Sequence, residues 1–315
     1  MNYRKRFDMK KWVLKAIVQK GISFLPFSHR INYFLQRHVS RGLRLTDVYF
    51  RDRIRMARLH LETCGELPAA TLEIGTGWHP IVPVAFYLAG VETIHTADHY
   101  RHLSRKTLRE TLDYFVGPGR EILAAEGFPI RQTRMKKLEE LKANRHLSAE
   151  ELLDSLCIRT HLLKNGQAAA IPAGTIHLIH SNNTLAHIYD DKLVPLLKEM
   201  RRVSGRDGVL SHFVDLCDHF AHIDPSISVF HFLRYSDKQW RLRDNSLQAQ
   251  SRNRLPDYLR LFEAAGLAVS ETNCQRSPGE ALEQVALHER FREYSVDDLL
   301  VTHAQFISRP GGRPV

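Results

Sequence analysis

Two groups of residues in this chain are spaced so that they could do chemistry. The first is Glu73-Ile74-Gly75-Thr76-Gly77, with Pro80 just beyond it and Asp98 some twenty residues further on. Gly75 and Gly77 can adopt backbone angles closed to other residues and let a ligand approach the main chain. A carboxylate at Asp98 suits the paired hydroxyls of a ribose. The second group is the run from Ser211 to Asp224, which holds Asp215, Asp218, His219, His222 and Asp224. A histidine there can take a proton from an attacking hydroxyl or amine, and a neighbouring carboxylate can orient its ring. The pattern favours His219 as base, with Asp215 or Asp218 as orienter and His187 as the alternative base. The same cluster contains helical i, i+3 and i, i+4 pairs that could hold a metal. No ligand frame such as HExxH accompanies them, Pro225 limits any helix, and no metal is assigned.

Positioning these groups requires strands and helices in alternation. From Thr71 onward, short apolar runs near 71–75, 93–97, 157–162, 175–180 and 208–214 read as strands. Helical patterns near 80–89, 104–116, 190–203 and 255–265 separate them. That order predicts an α/β fold, a Rossmann-like and mostly parallel sheet with helices on both faces. The last apolar runs, 267–270 and 300–307, would close a sheet edge. Residues 117–156 carry only helical patterns and read as an insertion.

The N-terminal part differs in composition. The chain has 315 residues and a formal net charge of +10, yet residues 1–60 hold fifteen Lys/Arg against three acids. The remainder therefore sums to −2. Residues 1–67 read as a basic helical appendage and residues 68–315 as the main domain. Residues 9–20 form a basic amphipathic helix, with Trp12, Ala16 and Gln19 on one side, followed by an apolar turn at Phe24 to Phe27. A second helical stretch is expected over 29–64.

The matching segments LEIGTGWHP (72–80), HTADHY (95–100), IHLIHSNNTLAHI (176–188) and LLKEMRRVSGRDGVLSHFVD (196–215) together resemble the class I S-adenosylmethionine-dependent methyltransferases. The resemblance covers about 68–308. It implies S-adenosylmethionine as cofactor, with Glu73 near its amino group, Gly75 and Gly77 lining it, Asp98 on the ribose, His99 beside the adenine, and Ser181 and Asn182 near the methionine part. Two positions depart from the family pattern. Lys164 to Ala169 lacks the acid common after the third strand, where Asn165 or Gln167 would have to substitute, and His177 stands where an acid is expected. A dinucleotide-binding reading fits less well, because its third glycine is replaced by Pro80.

The long connection from Phe230 to Arg254 offers Arg234, Tyr235, Trp240, Asn253 and Arg254, which with Asp218 would line a polar substrate. The expected activity is methyl transfer to an oxygen, less favourably a nitrogen, of a small polar metabolite or glycoside. A non-catalytic nucleoside- or partner-binding protein on the same fold is the alternative, as is an RNA methyltransferase. Basic charge without an RNA-binding signature argues against a nucleic-acid target. Four cysteines without a CxxC pair and no long apolar run point to a cytosolic protein. Trp12, Phe24 and Phe27 beside the lysines would allow peripheral contact with a membrane surface. Oligomeric state is not legible in the sequence.

Overall fold

The computed structural model describes residues 10–28, 31, 33–35 and 44–311. At its centre is a seven-stranded sheet of β1 (Ala70–Ile74), β2 (Thr93–Asp98), β3 (Ile158–Leu162), β4 (Ile176–Asn182), β5 (Ser204–Asp215), β6 (Val269–Arg276) and β7 (Val301–Ser308). The spatial order is β3-β2-β1-β4-β5-β7-β6. The first five strands run parallel, whereas β7 is antiparallel to both β5 and β6. The strand order reverses direction between β1 and β4. In open sheets of this kind ligands collect beyond the carboxyl ends of the strands at such a reversal. This is the Rossmann-like α/β sheet that the sequence predicts, and the late apolar runs close its edge as expected.

Two apolar layers cover the sheet. On one face lie α2 (Asp47–Cys64), α3 (Ile81–Ala89), α4 (Arg105–Val116), α5 (Gly119–Ala125), α6 (Gln132–Ala143) and α7 (Ala149–Ser155). Phe50, Ile54 and Ala57 of α2 are fully buried in the same core as Phe86, Phe115, Leu138 and Leu152. Hence the part of segment 1–67 formed by α2 packs as an integral layer of the main core. The other face carries α8 (Asp190–Val203) and α10 (Leu255–Ala264), whose Leu193, Leu197, Tyr258 and Phe262 pack on Leu72, Ile179 and Phe306.

The helical stretch expected over 29–64 is divided. Residues 44–46 are not helical, and Thr46 caps α2 by accepting a hydrogen bond from the Tyr49 amide at 3.2 Å. A threonine oxygen satisfies one of the helix's free N–H groups only if its own backbone is extended, so the helix must start anew there. Residues 29, 30, 32 and 36–43 of that stretch lie outside the described residues.

Helix α1 (Lys11–Ser23) follows the predicted amphipathic pattern, with Trp12, Ala16 and Gln19 buried. Trp12 and Ala16 seat on a third apolar cluster with Phe220, Phe230, Phe232, the Trp240 of α9 (Asp237–Arg241), and Phe291. Two further short helices, α11 (Glu280–Glu283) and α12 (Val296–Leu299), add Leu282 and Leu299 to it.

Candidate functional site

The turn after β1 divides two neighbouring cavities that share Thr76 and Gly77. The first, of about 160 Å³, is lined by Glu73, Gly75, Asn182 and, from α2 and the residues before it, Arg44, Tyr49 and Arg53. The second, of about 390 Å³, is lined by Asp98, Tyr100, His102, Glu150 and His161 among others. Glu73 closes the inner end of the first. Burial pushes its carboxyl up to about 7. Its Oε1 accepts from Asn182 Nδ2 at 3.4 Å, while Oε2 and the nearby Thr76 Oγ1 are buried with no protein hydrogen bond. Two orphaned polar atoms in one small cavity favour a polar ligand group there.

The two glycines have different duties. Gly75 has φ +80, and a Cβ on it would fall 2.2 Å from Thr184 Oγ1, which itself donates to the Ile74 carbonyl at 3.0 Å. Its smallness therefore admits Thr184 rather than a ligand. Gly77 has φ +69, and a Cβ there would meet nothing within 4 Å. It borders both cavities, and its amide donates to Asp98 Oδ2 at 3.1 Å. Asp98 Oδ1 accepts from the His99 amide at 2.7 Å. Asp98 thus fixes the turn and lines the second cavity.

Two expected cofactor contacts are placed elsewhere. Ser181 is buried with its Oγ 2.8 Å from His212 Nδ1, on the face of the sheet where His212 meets Phe262. Successive strand residues point to opposite faces, so Asn182 reaches the cavity and Ser181 cannot. The His99 side chain is exposed against Tyr100, and Tyr100 and His102 line the cavity in its place. After β3, Lys164 and Gln167 close a tight turn on each other, with Asn165 at φ 51. Neither Asn165 nor Gln167 lines the cavity, whose acids are Asp98 and Glu150 of α7.

Sequence reasoning missed the contribution of α2. His60 is fully buried, with Nε2 3.1 Å from Asn182 Oδ1 and Nδ1 2.8 Å from Ser211 Oγ. Gln305 Nε2 donates to that same Ser211 oxygen and to Thr63 Oγ1, each at 2.9 Å. Burial lowers His60 to about 4, so the ring is neutral at physiological pH. A neutral ring that donates from Nε2 turns the Asn182 amide nitrogen toward Glu73. The only sequence signal was His60 falling on the buried face of α2, ten residues after Phe50.

Beyond β5, Asp215 is surrounded by imidazoles. His219 Nε2 lies 3.4 Å and His222 Nε2 3.3 Å from its Oδ2, and His303 Nε2 lies 3.7 Å from Oδ1. Burial works against the charge, but the adjacent His219 ring and hydrogen bonds from the His222 ring and the Cys217 amide hold the carboxyl far below the usual range. His187 packs edge-on to His219 with ring centres 4.9 Å apart, and its Nδ1 lies 2.6 Å from the Ala249 carbonyl. Burial and the neighbouring His219 push His187 down to about 4. The structure therefore brings Asp215, His219 and His187 together.

Asp218 is separate from that group. It is fully buried, accepts from the Phe220 amide at 2.9 Å and faces His231 Nδ1 at 3.4 Å, so it shapes the loop and is not a substrate contact. Arg254 is also a correction. It is fully buried and donates to the carbonyls of Leu216, Leu299 and Val301, tying the end of β5 to the start of β7. A guanidinium fully buried against backbone carbonyls is out of reach of a substrate, although its Nε keeps an unpaired donor. Arg234 is exposed over Tyr235, and Tyr235 Oη meets His231 Nε2 at 3.2 Å. Trp240 and Asn253 do line a cavity, of about 520 Å³, together with Asp190, Arg241, Asp244 and Arg252.

Sheet order, the reversal between β1 and β4, and the paired cavities at the β1 turn define a Rossmann-like α/β fold with its candidate site at the reversal. No family description matches the sequence, and no curated relative matches it. Among solved structures, the chain is similar to geranyl diphosphate C-methyltransferase from Streptomyces coelicolor A3(2), with 12% identity, TM-score 0.42, and 81% of this chain and 77% of that chain covered. It is also similar to an S-adenosylmethionine-dependent methyltransferase from Leishmania major, with 16% identity, TM-score 0.43, and coverage of 94% and 82%. The YcgJ protein from Bacillus subtilis gives 14%, 0.41, 80% and 96%.

Proposed function

We propose that this chain is an S-adenosylmethionine-dependent methyltransferase acting on an oxygen, less favourably a nitrogen, of a small polar molecule. The observation that carries the reading is the divided cavity along Gly75-Thr76-Gly77, with a buried carboxylate at one end and Asp98 at the other. The residues fit such a cofactor. Glu73 Oε2 is an unsatisfied acceptor for an ammonium, Arg53 and Tyr49 line the same cavity and would meet a carboxylate, and the space before Gly77 is open. Asp98 would hold the ribose hydroxyls. Glu150 supplies on α7 the carboxylate that the turn after β3 lacks.

When bound, the cofactor supplies a methyl group on a sulfonium, electrophilic enough for direct displacement. The protein's part is alignment and proton removal. Asp215 occupies the Nε2 side of His219, which leaves Nδ1 to take the acceptor's proton. His187 is the weaker base, because it resists protonation down to about 4. Trp240, Asn253, Asp244 and Arg252 offer a polar wall for the acceptor.

Calorimetric titration with S-adenosylhomocysteine tests the cofactor assignment, and absence of binding at millimolar ligand overturns it. For the base, His219→Ala and Asp215→Asn should each lower kcat by about 100-fold or more while cofactor affinity changes less than about threefold. Cofactor binding without transfer to any hydroxylated or amino acceptor would favour a non-catalytic nucleoside-binding protein.

A further inference from the structure

Helix α1 is held to the body by one face and leaves the other in solvent. On the held face Trp12 packs against His231, with ring centres 4.8 Å apart, and its amide donates to Asp224 Oδ2 at 3.3 Å. Gln19 Nε2 donates to Gln248 Oε1 at 3.1 Å, and Lys20 Nζ donates to the carbonyls of Arg241 and Asp244 at 3.0 and 2.8 Å. The opposite face carries Leu14, Ile17 and Val18, and the turn that follows carries Phe24, Leu25 and Phe27, all exposed. Phe24 and Phe27 are 77% and 73% exposed.

Among the described residues seventeen large hydrophobic side chains are exposed, and these six fall within fourteen consecutive positions. Single exposed apolar residues are ordinary, but a contiguous cluster marks a surface that another apolar phase covers. Phe27 also has φ 59, a left-handed conformation that costs an aromatic residue about 1 kcal/mol or more. Burial within the chain does not offset that cost, because the ring points into solvent.

The charge distribution identifies what covers the patch. Residues 1–44 contain eleven Lys/Arg and one acid, and the other 271 residues contain 34 of each sign. The entire net charge of +10 therefore lies in the segment that bears the apolar patch. Lys10 and Lys11 are exposed at the start of α1. A second copy meeting this face would bring two such segments together against their mutual repulsion. An anionic lipid surface satisfies both features, since its headgroups attract the lysines and its acyl boundary takes the leucine, isoleucine and phenylalanine side chains.

We propose that the exposed face of α1 and the Phe24 to Phe27 turn dock on an anionic bilayer surface, with the helix lying in the plane of the interface. Among the described residues no helix is long and apolar enough to cross a membrane. Arg241 and Asp244, which receive Lys20, also line the 520 Å³ cavity. The helix that docks is thus tied by its other face to two residues of that cavity's wall.

Co-sedimentation of the full chain with vesicles tests this. Binding should be strong to phosphatidylcholine vesicles in which about a third of the lipid is phosphatidylglycerol, and weak to phosphatidylcholine alone or at high salt. Phe24→Ser with Phe27→Ser, and separately Lys10→Glu with Lys11→Glu, should each lower the partition coefficient about tenfold or more. Both variants should keep the wild-type unfolding midpoint and affinity for S-adenosylhomocysteine. Three results would overturn the proposal. One is no retention by anionic vesicles at low salt. Another is retention that both variants leave unchanged. The third is a lipid-free dimer, read from its solution mass, that the phenylalanine variant dissolves.

Discussion

At pH 5.5 the carboxyl of Glu73 should carry its proton, and at pH 7.5 it should be largely ionised, because burial places its pKa at about 7. An ammonium in the first cavity needs the ionised form. Binding of S-adenosylhomocysteine should then release a proton, and affinity should rise with pH until the carboxylate is formed. A group of pKa about 7 is roughly 3% ionised at pH 5.5 and roughly 76% at pH 7.5, which makes the expected gain about 25-fold, or about 2 kcal/mol. Calorimetric titration at a series of pH values, in buffers of different protonation enthalpy, reads both affinity and proton release. Glu73→Gln keeps the shape of the side chain but does not titrate, so its weaker binding should be flat over the same range. Equal wild-type affinity at the two pH values, or an equal slope in the variant, would refute the pairing of Glu73 with an ammonium. Folding responds in the opposite sense. Free glutamate ionises near 4.5 and the folded residue near 7, so stability is fully present below about 4.5 and falls as pH rises to 7, by up to about 3 kcal/mol. Urea midpoints of the variant should therefore exceed those of the wild type at pH 8 and match them at pH 4.5.

Two other substitutions separate packing from binding. Gly75→Ala should cost about 2 kcal/mol or more in chemical denaturation, because the new methyl meets Thr184 and the backbone is left-handed. Gly77→Ala should cost about 1 kcal/mol of stability but lower cofactor affinity tenfold or more, since its methyl enters open cavity. Arg254→Met should lose about 3 kcal/mol, measured by urea unfolding, as three buried carbonyls lose their donor. Unchanged stability in Arg254→Met would mean that water replaces the guanidinium.

The sheet was legible because parallel strands buried on both faces read as continuous apolar runs, and the helices between them keep a different period. Glu73, Gly77 and Asp98 were legible for a similar reason, since each sits at a strand end within one local unit. Ser181 was not, because a one-residue change of parity decides which face of β4 it occupies. His99 and His102 are separated only by the path of a loop. Tyr49 and Arg53 reach the cavity, and His60 reaches Asn182 behind it, through the packing of α2 across the sheet, a relation between segments that no local spacing encodes. Arg254 looked like a ligand contact because composition cannot distinguish a guanidinium that faces a cavity from one that faces backbone carbonyls.

His60, Ser211, Gln305 and Thr63 form a circuit that leaves α2, crosses β5 and β7, and returns to α2 one turn later. The helix is thereby pinned at two points against rotation about its own axis as well as against withdrawal. An autonomous folding unit cut at the first strand would strand these polar groups in an apolar interior and empty the space of Phe50 and Ile54. The layer that packs as one core with the sheet therefore reaches back to the Thr46 cap, a helix built into the foundation of the sheet.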